Sequence, residues 1–433
     1  MVYEVDDFLI SEPLDNKYDL SAKTIYLLDK SLRLPNEEQG IIKWEAEPRQ
    51  YAGFELARSD DRGCITLRMS QKIREAVRAH IPALIDGDQQ TVQRLGLLKG
   101  VKLQNALDNL RLAPKEDFDL IHKGGCKLNA EQKLFQGATG SGRYIISVQP
   151  RAELALKCLS TVAARPPPGS YLVAQSVLAD MFAHIDDGIT YGGASCIDVW
   201  RPEHSAPGLH KLVDGLDGGH TGESGIVLHA GAPMQLEGHA DASWSRVNAV
   251  ADDDDIATIL REAPADVISM LITRGGAAVC TKSKRLQLIV SASMYAEREA
   301  TVKATEVVEF CRTVDIALGN LDTADQPTLV STDNSGNQLV IGGEASSARS
   351  KHKLIKYVIV QQRVASVHIK VRHVSDAENP ADFLTKWIGK EKFEASVEYA
   401  TNAKNAVRAT SPELSQSSKF EMQFAMMRHT TGK

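Results

Sequence analysis

Four carboxylates in the C-terminal half stand where apolar stretches give way to turns or helix starts. They are Asp241 in His239-Ala240-Asp241-Ala242-Ser243-Trp244, Glu297 in Tyr295-Ala296-Glu297-Arg298-Glu299, Asp333 in Ser331-Thr332-Asp333-Asn334, and Asp382 in Asn379-Pro380-Ala381-Asp382. Side chains at strand ends project at the edge of a sheet, where residues distant in sequence share one site. Carboxylates gathered there repel one another unless a cation lies between them, and hard oxygen ligands suit magnesium, with manganese as a substitute. Two such ions about 4 Å apart activate a water and stabilise the leaving oxygen in phosphodiester cleavage. Taken singly, each residue also has a structural reading: an Asp after a strand forms turns, and an Asp near a helix start caps it.

The elements that must position these groups follow from the pattern. A strand is predicted over Met234–Trp244, followed after a polar loop by Val267–Thr273, the turn Arg274-Gly275-Gly276 and a returning strand Ala277–Thr281. A long helix is expected over roughly 293–318, then a strand Leu329–Thr332, a short helix, a basic helix near 350–365, a strand Val367–Val374 and a final helix from Pro380. Three antiparallel strands followed by alternating helix and strand describe a mixed α/β sheet. Upstream, Tyr51–Ala57 and Cys64–Leu67 flank the turn Ser59–Gly63 as a hairpin, with a helix from Ser70 (an N-cap candidate) through His80. Helices are expected over Leu154–Val162 and around Val173–Met181. Gly137-Ala138-Thr139-Gly140-Ser141-Gly142-Arg143 lacks the spacing of a phosphate loop and reads as a turn.

The chain has 433 residues, 43% of them hydrophobic and 24% charged, which excludes wholesale disorder and suggests several domains. A net charge of −6 excludes a uniformly basic nucleic-acid binder but leaves room for a local basic patch. Such a patch exists: Ala345–Ser375 holds no Asp or Glu but carries Arg349, Lys351, Lys353, Lys356, Arg363, Lys370 and Arg372. With Leu354, Ile355, Val358 and Ile359 as the apolar face of a helix, Lys351, Lys353 and Lys356 would face outward, either as a solvated face or as contacts to phosphates. No apolar run is long enough to span a membrane, and the acidic N-terminus lacks the basic start of a secretory signal. The six cysteines form no C-x-x-C pair, so free thiols in a reducing, intracellular compartment (cytoplasm or nucleus) are expected. Asp252–Asp255 reads as a solvated loop.

Residues 227–395 resemble the ribonuclease H domain of copia-type retrotransposon polyproteins. The matching features are Ala240-Asp241-Ala242-Ser243-Trp244, Gly275-Gly276 with Lys282-Ser283-Lys284, Ala296-Glu297-Arg298-Glu299, Thr332-Asp333-Asn334, Arg349-Ser350-Lys351-His352 and Ala381-Asp382-Phe383-Leu384-Thr385-Lys386, in that order. Asn337 stands where the family usually has Ala. Upstream, Glu4-Val5-Asp6-Asp7-Phe8-Leu9-Ile10 is similar to the palm hairpin of a reverse transcriptase, Ser70-Gln71-Lys72 to its Leu-Ser-Gln-Lys stretch, and Gln149-Pro150-Arg151 to its Arg-Pro-Asp.

The resemblance implies an α/β fold with a ribonuclease H-like mixed sheet at the C-terminal end, preceded by an α+β palm and connection remnant. The expected division is a truncated reverse transcriptase remnant at 1–115 with Asp6 and Asp7, a helical connection at 116–226, the ribonuclease H-like domain at 227–395 and a polar tail at 396–433. The fingers and the other metal-binding palm aspartate are expected to be missing, and polymerisation with them. The implied activity is cleavage of the RNA strand of an RNA–DNA hybrid, with Asp241, Glu297, Asp333 and Asp382 holding two Mg2+ ions (or Mn2+) and His373 assisting. Asn334, Arg349, Lys351, Lys353 and Lys356 would contact nucleic acid, and the rest of the Pol polyprotein is an implied partner. Two alternatives stay open: a degenerate copy that at most binds nucleic acid, and an integrase or transposase on the same fold.

Overall fold

The computed structural model describes residues 50–51, 53–58, 64–113, 129–192, 236–243, 266–274, 277–286, 293–317, 326–341, 354–403 and 406. Asp6, Asp7, Asp252–Asp255, Arg349, Lys351, Lys353 and the Lys356 side chain lie outside this set. Strands are β1 (Gln50–Tyr51), β2 (Phe54–Arg58), β3 (Cys64–Arg68), β4 (Ile189–Gly192), β5 (Leu236–Ser243), β6 (Val267–Arg274), β7 (Ala277–Arg285), β8 (Thr328–Thr332) and β9 (Ile369–His373). Helices are α1 (Ser70–His80), α2 (Pro82–Asp86), α3 (Gln89–Leu95), α4 (Gly100–Asp108), α5 (Ala130–Ile145), α6 (Glu153–Val162), α7 (Ser170–Ala183), α8 (Ser293–Ala317), α9 (Ser335–Ile341), α10 (Leu354–Ala365) and α11 (Lys390–Thr401).

The first unit joins the antiparallel sheet β1-β2-β3-β4 to helices α1–α7. The β2–β3 hairpin pairs Leu56 with Leu67, as its alternation and turn residues predict. Ser70 is the first helical residue of α1 rather than its cap: Met69 occupies the cap, and the Ser70 hydroxyl donates to the Ile185 carbonyl. One core, with Ile73, Val77, Phe135, Leu159 and Met181 at its centre, runs from Met69 to Ile185. It crosses the expected division at 115/116, and β4 closes the sheet against β3. The glycine stretch 137–143 is not a turn but the middle of α5. Glycine lowers helix propensity, yet the helix is started by the reciprocal Asn129–Gln132 capping box and held by its packing. Gly142 permits that packing, since a Cβ there would lie 2.5 Å from Leu156 Cδ2 on α6.

The second unit is the mixed α/β sheet expected from the element order, with strand order β7-β6-β5-β8-β9. β5, β6 and β7 are antiparallel neighbours, whereas β8 runs parallel to β5 and β9 parallel to β8. This is a ribonuclease H-like sheet, and β5 is buried along nearly its whole length. Helix α8 lies across it. Ala296, Ala300, Ala304 and Val308, spaced by one helical turn, bury into the same core as Leu236, Ala240 and Ala242 of β5. Small residues let the two backbones approach closely; a Cβ on Gly238 would sit 2.9 Å from Val308 Cγ2.

Three expectations change. The buried stripe of α10 is Tyr357 and Val360, while Val358 and Ile359 are exposed, so the helix is rotated from the face first assigned. Pro380–Leu384 forms a short 3-10 turn, and the last α-helix begins only at Lys390. That helix runs through the expected start of the tail to Thr401, because Val397, Tyr399 and Ala400 are buried and the Tyr399 hydroxyl reaches His239 Nε2 at 2.8 Å.

The two units meet through an apolar cluster, in which Ile189 of β4 is buried with Leu271, Ala278 and Phe383, and through polar contacts. The Glu153 carboxylate, buried on α6, accepts from the Ser283 N–H of β7 at 2.8 Å. Arg151 pairs with Asp187 at 3.1 Å and with Glu394 of α11 at 3.2 Å. Tyr191 donates to the Ala278 carbonyl, and Trp387 Nε1 donates to Asp108 at 2.7 Å. Asn402, left-handed at φ 52°, closes α11 and donates to the Thr190 and Gly192 carbonyls.

Candidate active site

Strand register sets the first half of the site. His239 of β5 pairs with Ser331 of β8, so Asp241 and Asp333, each two residues further on, stand at the same height at the carboxyl ends of parallel neighbours. Glu297 is brought to them by the first turns of α8 and accepts a hydrogen bond from the Ala242 N–H. One oxygen from each of Asp241, Glu297 and Asp333 lies within 4.8 Å of the others. Asp382 is held by the 3-10 turn, which is itself anchored by Asn379: its side chain donates to the Ala240 carbonyl and accepts from the Ala381 N–H. Asp382 does not complete the first triplet but forms a second with Asp333 and Asp376, again within 4.8 Å.

Asp241 and Asp382 are fully buried and Glu297 nearly so. Burial, then the neighbouring charges of Asp241 and Asp333, push the Glu297 carboxyl up to about 10. Burial and Asp241 raise Asp382 to about 7. Asp241 and Asp333 are raised in the same way, burial leading. Two ammonium groups offset part of this. Lys386 Nζ lies 3.0 Å from Asp376, 3.3 Å from Asp382 and 3.8 Å from Asp241. Burial opposes its charge, but Asp241 and Asp382 outweigh that and hold the ammonium above its usual range. Lys392 of α11 contacts Asp382 Oδ2 and the Asp376 carbonyl. The Thr385 hydroxyl donates to Asp241 Oδ2.

A hard divalent cation fits this donor set. Among the described residues, the buried oxygens Asp241 Oδ1, Glu297 Oε2 and Asp382 Oδ1 have no hydrogen-bond donor, a costly arrangement for carboxylates unless a cation takes those lone pairs.

Of the other residues singled out from sequence, His373 ends β9 beside Thr332 and its Nε2 lies 3.0 Å from the Asp333 carbonyl, at the rim. Asn334 caps α9, its Oδ1 accepting from the Asn337 N–H at 2.9 Å. Within the basic run, Arg363 is committed to Thr305 and Arg372 to Ser331, while Lys370 is exposed. Glu299 points elsewhere than Glu297: it is buried against Arg298, whose guanidinium lies over the Tyr295 and Tyr357 rings. Sequence reasoning missed Asp376, Lys392 and the roles of Thr385 and Lys386. The one local signal was the capping box Ser375–Glu378, which folds the turn carrying Asp376.

No protein-family model matches the chain. Its curated homologues are copia-type retrovirus-related Pol polyproteins. It is 23% identical over 308 residues to the Retrovirus-related Pol polyprotein from transposon RE1 of Arabidopsis thaliana, covering 67% of this chain and 20% of that protein. It is 24% identical over 174 residues to the corresponding polyprotein from transposon RE2 of the same plant, covering 40% and 11%. The chain thus spans a fifth or less of the length of these relatives. Among solved structures, LC11-RNase H1 in complex with an RNA/DNA hybrid is similar at 15% identity and a TM-score of 0.23, over 34% of this chain and 88% of that one. The fold class is carried by the strand order and directions of the sheet itself.

Proposed function

We propose that the second unit is a ribonuclease H-type endonuclease that hydrolyses the RNA strand of an RNA–DNA hybrid, in a chain derived from a copia-type Pol polyprotein. The observation that carries this reading is the convergence of Asp241, Glu297 and Asp333 from three separate elements on one small volume, with buried oxygens left over. Asp241, Glu297, Asp333 and Asp382 would hold two Mg2+ ions, for which Mn2+ could substitute. When bound, such ions polarise the scissile phosphate and make water a nucleophile at neutral pH.

The chain's own residues prepare that chemistry. Thr385 fixes one oxygen of Asp241 and leaves the other open. Lys386 lowers the repulsion between Asp241 and Asp382. His373 donates to the Asp333 carbonyl from the rim, which places its ring beside the triplet for proton transfer. Arg349, Lys351, Lys353, Lys356 and the exposed Lys370 supply phosphate contacts; Arg363 and Arg372 are spent on internal bonds. Recognition then rests on hybrid shape and 2′-hydroxyls rather than on sequence. The remainder of a Pol polyprotein is the natural partner, given the homologues.

The test is incubation of the whole chain with a hybrid labelled on either strand, a DNA duplex and single-stranded RNA, each with Mg2+ or Mn2+. Cleavage confined to the RNA strand of the hybrid is expected. Failure with both metals, or cleavage of the DNA duplex, would overturn the reading.

A further inference from the structure

The two carboxylate triplets share Asp333 but are not equally supplied with positive charge. Among the described residues, the first, Asp241–Glu297–Asp333, has one ammonium nearby, Lys386, at 3.8 Å from Asp241. The second, Asp333–Asp376–Asp382, has two: Lys386 at 3.0 Å from Asp376 and 3.3 Å from Asp382, and Lys392 in contact with Asp382 and 3.9 Å from Asp376 Oδ2. Lys392 sits in the first turn of α11, its side chain 23% exposed. Asp382, its partner, is fully buried and still has Oδ1 without a hydrogen-bond donor.

A divalent cation and an ammonium compete for the same lone pairs. The first triplet offers three carboxylates with little neutralisation, whereas a cation entering the second meets the charge of Lys392 already held on Asp382 Oδ2. We propose that Lys392 is a built-in counter-ion that competes with a second divalent cation for Asp376 and Asp382, so that the two ion sites fill in order. This rests on the metal-dependent reading above and adds two residues to it: Asp376 as a ligand of the second ion and Lys392 as its intramolecular rival. Lys392 is also tied to the first unit. Glu394, two residues along α11, pairs with Arg151 at 3.2 Å, and Arg151 lies over the ring of Phe393. The position of α11, and with it the strength of the competition, is therefore set partly by the helical unit.

The experiment is a calorimetric titration of the whole chain with Mn2+ alone, repeated with Mg2+, on the wild type, Lys392→Met, Lys392→Arg and Asp376→Asn. The expected wild-type result is two sites at least tenfold apart in Kd. Lys392→Met should tighten the weaker site by tenfold or more and leave the stronger within about twofold; Lys392→Arg should restore the gap. Asp376→Asn, in an exposed turn that tolerates it, should remove the weaker site alone. In the absence of metal, Lys392→Met should melt lower than wild type and gain more from added Mn2+. Two wild-type sites of equal affinity, or unchanged affinities in Lys392→Met and Asp376→Asn, would overturn the competition while leaving the metal-dependent reading intact. No ion binding at all would overturn both.

Discussion

At Asn337 one buried amide joins two elements of the site's scaffold. The side chain is fully buried; its Nδ2 donates to Thr301 Oγ1 at 2.7 Å and reaches the Glu297 carbonyl at 3.5 Å, tying α9 to the turn of α8 that presents Glu297. Its Oδ1 has no partner among the described residues. A net hydrogen bond contributes roughly 0.5–1.5 kcal/mol, and an unsatisfied buried oxygen takes away a similar amount. Asn337→Ala, which removes both, should therefore shift unfolding by less than about 1 kcal/mol, whereas Asn337→Asp places a further buried charge beside the acidic triplet and should lower Tm sharply. Urea and thermal unfolding of both variants check this; a large loss in the Ala variant would show the amide to be structurally essential. The carboxylates Asp241, Glu297, Asp333 and Asp382 were legible from sequence because each is bound to a local pattern, a strand end or a helix start. Asp376 and Lys392 were not, because what they do is defined by partners on other elements.

The close packing of β5 on α8 shows what an element contributes. Gly238 leaves room for Val308, and a methyl at that position would meet Val308 Cγ2 at 2.9 Å and Ile272 Cδ1 at 3.3 Å. Overpacking of this kind costs about 1–3 kcal/mol. Gly238→Ala should destabilise the sheet unit by that amount, and Val308→Ala in the same chain should recover part of it, a coupling that a double-mutant cycle measures. Strictly additive effects would mean that the two residues do not press on one another. The strand Val267–Arg274 was readable as an apolar run ended by a glycine turn, and the long helix by its length between turn residues. The errors came where local propensity and packing disagree. Gly137–Gly142 reads as a turn by composition, but the capping box and the contact with Leu156 make it helix. In α10 the apolar residues lie on more than one face, so periodicity picked Val358 and Ile359 although Tyr357 and Val360 are the buried ones.

Across the seam, beside the apolar cluster around Ile189, lies a buried carboxylate whose cost depends on pH. Burial raises the Glu153 carboxyl above its ordinary value despite the Ser283 N–H and Arg143. The folded state thus holds that proton more tightly than the unfolded chain, and stability drains away as pH rises from the unfolded pKa through the folded one. Glu153→Gln keeps an acceptor for the Ser283 N–H without the desolvated charge. It should be more stable than wild type at pH 8, with the advantage shrinking toward pH 4.5; an equal loss at every pH would show that the pair with Arg143 dominates instead. None of the polar contacts between the units, which join residues at least 87 positions apart, could be read from the sequence. At this scale, the most direct measurement is the rate of RNA-strand cleavage in an RNA–DNA hybrid by the whole chain and by Asp241→Asn, with circular dichroism to confirm that both fold. Asp241 is fully buried at the centre of the first triplet. Loss of one such charge should lower the rate by about two orders of magnitude or more, with the fold unchanged. Full activity in Asp241→Asn would contradict the account.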